Sequence, residues 1–134
     1  MERTLRTLLV LILVQMVVFL VSLPGFGIET RTVSQYSAWA GPVFLLLTVL
    51  VFVLGIAAFV LSRSRATAAA RFGFGQGVVA IVTNLLDFSH VGGPAPPAGP
   101  LVLGVIAIVV ALGELLLALR VPRGAPYHPG SQTG

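Results

Sequence analysis

The feature that most constrains the fold of this sequence is a set of four long apolar blocks. Short segments that hold the charges and most of the prolines separate these blocks. A helix needs about 20 residues at 1.5 Å each to cross a hydrocarbon core of roughly 30 Å. The blocks lie at about 5–23, 42–62, 72–89 and 100–119. Because lipid satisfies no backbone hydrogen bonds, the sequence predicts an all-α membrane protein, a four-transmembrane-helix bundle forming one domain over 1–120.

Composition supports this interpretation. Hydrophobic residues make up 57% of the chain and charged residues 9%, against roughly 45–50% and 25% in soluble domains. The net charge of +4 does not form a basic patch, so we expect the lipid bilayer as a partner and no nucleic acid. The absence of cysteine excludes disulfides and thiolate chemistry.

The arginines at the block ends predict the orientation. Seven of the eight basic residues lie in the N-terminal segment, in the Arg63–Arg71 connection and in the C-terminal tail, and Arg31 alone lies on the other side. Cytoplasmic segments carry the excess of Lys and Arg. The sequence therefore predicts a multi-pass protein of the cell membrane with cytoplasmic N and C termini, and a disordered cytoplasmic tail over 121–134.

Small residues recur at helical spacing in three of the blocks. Such positions let helix backbones approach closely in lipid, where no hydrophobic force drives association. The candidate packing positions are Gly55, Gly73, Gly77, Gly104, Ala107 and Ala111. These stripes predict helix–helix packing and, beyond one chain, a homo-oligomer or a membrane-protein partner.

One buried carboxyl group is the strongest candidate for chemistry. Glu114 lies six residues before Arg120, which is roughly 9 Å inside the helix end at 1.5 Å per residue. Gln76 and Gln15 fall at comparable depths in their own blocks. We expect the three side chains to meet in the cytoplasmic half, either as a proton or cation site or as a structural hydrogen bond.

A second candidate cluster lies at the other membrane face. Asn84, Asp87 and His90 recur every three residues and so share one helix face. An Asp–His pair at this spacing can hold a metal, orient a proton shuttle or bind a quinone-like head group. Two ligands do not make a metal site, however, and polar residues at a helix end also simply meet water.

The sequence does not identify an activity. Its stripes favour an accessory or assembly protein acting through helix packing; the alternatives are an oligomeric proton- or cation-coupled transporter using Glu114, and a redox or quinone-associated subunit using Asp87 and His90. Four short helices in a small chain are similar in outline to the small multidrug-resistance exporters, whose key carboxylate lies in the first helix, where this sequence has Gln15. No catalytic constellation is visible, which favours a non-enzymatic function without refuting an enzymatic one, and the sequence leaves the cofactor unknown.

Overall fold

The computed structural model describes residues 2–122, and this part of the chain is helical apart from its connections. Its elements are α1 (Arg3–Val21), a 3-10 turn (Val33–Gln35), α2 (Ala40–Leu61), α3 (Ala66–Phe88) and α4 (Ala98–Arg120). All four α-helices are long and apolar enough to cross a membrane. The predicted all-α class and the four spans within residues 2–122 are thereby confirmed, while the orientation of the termini stays a prediction.

The helix starts follow from local chemistry. In α1, both side-chain oxygens of Glu2 accept backbone hydrogen bonds, from Thr4 N and Leu5 N, at 2.9 Å each. These bonds satisfy N–H groups that have no partner inside the helix, so α1 begins two residues before the predicted start. In α2 and α4, Pro42 and Pro100 occupy the third helical position, where the missing proline N–H costs no intrahelical bond.

Helix α3 begins at Ala66, six residues before the start predicted from the apolar block. The prediction treated the whole Arg63–Arg71 segment as a connection because it carries three arginines. Four of the five residues over 66–70 are alanine, the strongest helix former, and they continue the helix. Arg71 is therefore an exposed residue of α3, and the α2–α3 connection shortens to a few residues.

The bundle is organised around α3, which packs along both α2 and α4, while α1 packs chiefly on α4. The α1–α2 and α3–α4 connections lie at one end, called here the loop end. The two chain termini and the α2–α3 connection lie at the other, the termini end. Side chains facing outward from the helices are large and apolar; Val60 and Val109, for example, are 70% and 63% exposed, as expected of a lipid-facing surface.

The predicted small-residue positions all lie inside this bundle. A Cβ built at Gly73 would stand 2.9 Å from Ile12 of α1, and one at Gly104 would stand 2.6 Å from the Phe88 ring of α3. A Cβ at Gly77 would stand 3.1 Å from the Ala111 carbonyl oxygen of α4, and Ala107 and Ala111 are buried in the core. The stripes are thus used for packing within one chain.

Two stretches stand apart from this description. Val121 and Pro122 follow α4 directly, and Val121 is buried against the core. The rest of the tail predicted as disordered, residues 123–134, lies outside the described residues, as does His128.

Candidate functional site

Glu114 and Gln15 meet in the middle of the bundle. Both side chains are fully buried, and Nε2 of Gln15 donates to Oε1 of Glu114 at 3.0 Å. The same nitrogen also donates to the backbone carbonyl oxygen of Ala107 at 2.9 Å. Because both neighbours are acceptors, the amide nitrogen must face them, which fixes the orientation of the Gln15 side chain.

Gln76 lies close to this pair but binds elsewhere. Its Nε2 donates to the carbonyl oxygen of Val51 in α2 at 2.9 Å. Both Gln76 Nε2 and Met16 Sδ stand within 2.7 Å of the point where a Cβ at Gly55 would lie, so the amide lies near the Met16 side chain of α1. The structure therefore joins two of the three predicted residues by a hydrogen bond and directs the third toward α2.

Three oxygen atoms in this region have no hydrogen-bond partner among the described residues: Gln15 Oε1, Gln76 Oε1 and Glu114 Oε2. Each belongs to a side chain with no measurable exposure. A buried polar atom without a partner costs roughly 1–3 kcal/mol, so three in one small region are unusual in a folded protein. They are the polar atoms that the hydrogen bonds of Gln15, Gln76 and Glu114 leave unsatisfied.

At the loop end, Arg31 is held by two carboxylates. Its Nη1 and Nη2 donate to Asp87 Oδ1 and Oδ2 at 2.7 and 3.0 Å, a bidentate pair. Its Nε and Nη2 donate to Glu29 at 2.9 and 2.8 Å, and Nη1 also reaches the carbonyl oxygen of Pro94 at 3.1 Å. We call Glu29, Arg31 and Asp87 the loop-end triad. With one positive and two negative charges, its net charge is −1.

Tyr36 covers the triad. Its ring centroid lies 5.5 Å from the guanidinium carbon of Arg31, within cation–π range. Burial raises the pKa of Tyr36, an effect that the positive charge of Arg31 partly offsets. For Arg31, burial lowers the pKa, but the hydrogen bonds to Glu29 and Asp87 outweigh burial and hold the pKa above its ordinary value. Arg31 is therefore a permanent cation.

The predicted cluster of Asn84, Asp87 and His90 is not assembled as a pocket of three side chains. Asp87 is engaged by Arg31, while Asn84 Nδ2 donates to the Ala80 carbonyl oxygen of its own helix at 2.8 Å. His90 is exposed, and its φ of 62° lies in the left-handed region that ends α3. Arg31 was not predicted as the partner of Asp87 because 56 residues separate the two in the sequence.

A cavity of about 530 Å³ opens between the helices below the triad. Its size falls within the range of small-molecule pockets, roughly 300–1,000 Å³. The wall is mainly apolar, with hydroxyl and amide groups from a few side chains. The triad and Tyr36 line its loop end, and the residues lining it nearest the middle of the bundle are Val18, Thr48, Thr83 and Ala107, one from each helix. We call this space the loop-end cavity.

Ala107 connects the cavity to the buried carboxyl group. Its side of α4 lines the cavity, and its carbonyl oxygen accepts the Gln15 amide that also holds Glu114. One amide group thus separates the deep end of the cavity from Glu114. The Gln15–Glu114 pair is thus connected to the cavity wall through the carbonyl oxygen of Ala107.

Among residues 2–122, no group of three or more His, Cys, Asp or Glu side chains has the arrangement needed to hold a metal ion. Comparison of the chain with protein-family models, with curated proteins and with solved structures gave no match.

Proposed function

We propose that this small integral membrane protein is a proton- or cation-coupled transporter, with the loop-end cavity as its substrate site and Glu114 as the group that exchanges the coupling ion. The observation that carries the proposal is the link at Ala107. A cavity large enough for a small molecule ends one hydrogen-bonded amide away from a fully buried carboxyl group. Ionisable groups inside the membrane commonly mark ion pathways and proton relays.

The chemistry of the cavity favours a substrate with an apolar body and one positive charge. Most of the wall is apolar, which suits the body of such a molecule. Arg31 is fully paired with Glu29 and Asp87, so an anionic head group finds no free cation there. The net charge of −1 at the triad attracts a cation instead. By the positive-inside rule the cavity would face the outer side of the membrane.

The other predicted functions have less support. The assembly function was based on small-residue stripes, and those stripes pack within the bundle. The redox function required Asp87 and His90 in one pocket, whereas Asp87 pairs with Arg31. A homo-oligomer or a membrane-protein partner stays a prediction, and such contacts would use the outward apolar surface.

Proteoliposomes test this proposal. The purified protein is reconstituted with the cationic dye rhodamine 6G or the anionic dye fluorescein inside, and a pH or sodium gradient is imposed. We expect gradient-driven loss of the cation only, abolished by Glu114→Gln. Glu2→Gln is the matched control, since it makes the same chemical change at an exposed helix cap. Equal movement of both dyes, or undiminished flux in Glu114→Gln, would contradict the proposal.

The absence of cysteine allows a second, independent test of the cavity. Single cysteines are introduced at Thr48 and Thr83, which line the cavity, and at Val53, which is 53% exposed on the lipid-facing side of α2. We expect a water-soluble maleimide to label the two cavity positions and not Val53. Rhodamine 6G should slow labelling at both cavity positions if it occupies the same space.

A further inference from the structure

The Gln15–Glu114 contact is half of a larger arrangement. A primary amide and a carboxylic acid are both planar, and side by side they can exchange two hydrogen bonds. One of these is present, from Gln15 Nε2 to Glu114 Oε1 at 3.0 Å. The remaining atoms of the same two groups, Gln15 Oε1 and Glu114 Oε2, are both buried without a partner. A hydrogen atom shared by these two oxygens would give each of them a partner once the two terminal groups face each other.

The absence of a paired cation beside Glu114, among residues 2–122, also favours a protonated carboxyl group. Burying an isolated carboxylate is so costly that the group takes up a proton instead, unless a cation pairs with it. The only side chain that hydrogen-bonds to Glu114 among residues 2–122 is Gln15 of α1, and Gly77 is its close neighbour on α3. Both neighbours are neutral. Ca²⁺ and Mg²⁺ take six or more oxygen ligands, more than these groups supply.

We infer that Glu114 and Gln15 form a two-point acid–amide pair that binds a proton in the middle of the bundle. The Glu114 hydroxyl donates to Gln15 Oε1, and Gln15 Nε2 donates to Glu114 Oε1. The second N–H of the amide remains bonded to the Ala107 carbonyl oxygen. The terminal torsions of Gln and Glu side chains are broad, so the two terminal groups can turn to face each other in this way. All side-chain polar atoms of the pair then have partners.

The pair also gives a role to the Ala107 contact. Loss of the proton leaves a carboxylate that can accept the Gln15 N–H but receives no second bond, so ionisation weakens the link between α1 and α4. Because Gln15 also holds the deep end of the loop-end cavity through Ala107, the protonation state of Glu114 is transmitted to the cavity wall. That the proton is the coupling ion rests on the proposed function; the acid–amide pair itself does not.

Infrared spectroscopy of the purified protein at neutral pH tests the pair. We expect a C=O stretching band of a protonated carboxylic acid that disappears in Glu114→Gln and moves to higher frequency in Gln15→Met, which keeps the volume and removes the amide. Asp87→Asn is the matched control and should remove only a carboxylate band, because Asp87 is ion-paired. A carboxylate band lost in Glu114→Gln would overturn the inference.

Stability provides a second readout that does not depend on the spectrum. Gln at position 114 can form the same two hydrogen bonds as an acid, whereas Met of similar length can form none. We therefore expect Glu114→Gln to unfold near the wild-type temperature and Glu114→Met to unfold well below it. The wild-type unfolding temperature should be the same in sodium and choline buffers. A clear stabilisation by sodium would assign the site to a metal cation.

These outcomes separate the inference from the proposed function. A protonated Glu114 together with no dye flux would support the acid–amide pair and contradict transport. An ionised Glu114 together with gradient-driven flux abolished by Glu114→Gln would support transport and contradict the pair.

Discussion

Two glycines of α3 provide the sharpest test of the packing. A Cβ built at Gly77 would stand 3.1 Å from the backbone carbonyl oxygen of Ala111 and 3.1 Å from Leu115 Cδ2. The carbonyl belongs to α4 and cannot move without shifting that helix. At Gly75, two residues earlier, the nearest atom is Leu54 Cδ1 at 3.6 Å, an ordinary contact. Replacing each glycine by alanine therefore makes the same chemical change in two different environments.

The expected magnitudes follow from two effects. Alanine is favoured over glycine inside a helix by about 1 kcal/mol, and this gain applies at both positions. Overpacking of a tightly packed core costs about 1–3 kcal/mol, and it applies only at Gly77. We expect Gly75→Ala to raise the free energy of unfolding by about 1 kcal/mol. The free energy of unfolding of Gly77→Ala should be about 1–3 kcal/mol lower than that of Gly75→Ala, because the helix-propensity gain is the same in both variants.

Unfolding in mixed detergent micelles measures this difference. The chain contains one tryptophan, Trp39, whose fluorescence reports on the loop end, and far-ultraviolet circular dichroism reports on all helices. Both probes should give the same order of stability for wild type and the two variants. If Gly77→Ala is as stable as Gly75→Ala, α3 and α4 do not approach as closely as described, and the packing argument is wrong.

Three further predictions concern the loop end. Asp87→Asn should lower the free energy of unfolding by about 1–2 kcal/mol. Arg31→Gln should lower it more, because it leaves two carboxylates without their cation. Equal effects of the two substitutions in thermal unfolding would contradict the pairing of Arg31 with both carboxylates. Burial raises the pKa of Tyr36 above its ordinary value of 10.0. The stabilisation from keeping the Tyr36 phenol neutral is therefore fully present below pH 10 and is lost as pH rises through the higher folded-state pKa. Tyr36→Phe should reduce this alkaline loss of stability, measured by unfolding as a function of pH. His90→Gly should raise stability by about 1 kcal/mol by relieving the left-handed backbone at φ 62°, whereas His90→Ala should not.

The fold was largely predictable because each apolar block is about as long as a helix must be to cross a bilayer. Helix number and class followed from that constraint, and the meeting of Glu114 with Gln15 followed from their similar depth. The start of α3 was not predictable in this way. Arg71 ends the apolar block in the sequence but does not mark the start of α3. The alanines over 66–70 have high helix propensity, so the helix extends past Arg71 to Ala66.

The loop-end triad was missed for a different reason. Periodicity within one block groups Asp87 with its own helical neighbours, but its actual partner, Arg31, comes from a connection 56 residues away. A signal was nevertheless present. Arg31 was the one arginine on the side where the positive-inside rule disfavours it, and a carboxylate near the same membrane face was the natural partner. An arginine that departs from the positive-inside rule therefore predicts a nearby carboxylate as its counter-ion.

The composition of the loop-end triad also has a consequence for biogenesis. Glu29 and Arg31 are two residues apart and can pair as soon as the first connection has been synthesised, so in the predicted orientation this segment can be translocated as a neutral unit. Asp87 arrives only when the third helix has been made. Its bidentate bond to Arg31 is therefore a late event, which fastens the nascent first hairpin to the third helix after membrane insertion. Asp87→Asn should accordingly still reach the folded state, but it should pass more slowly through a protease-sensitive stage in which only the first two helices are in place.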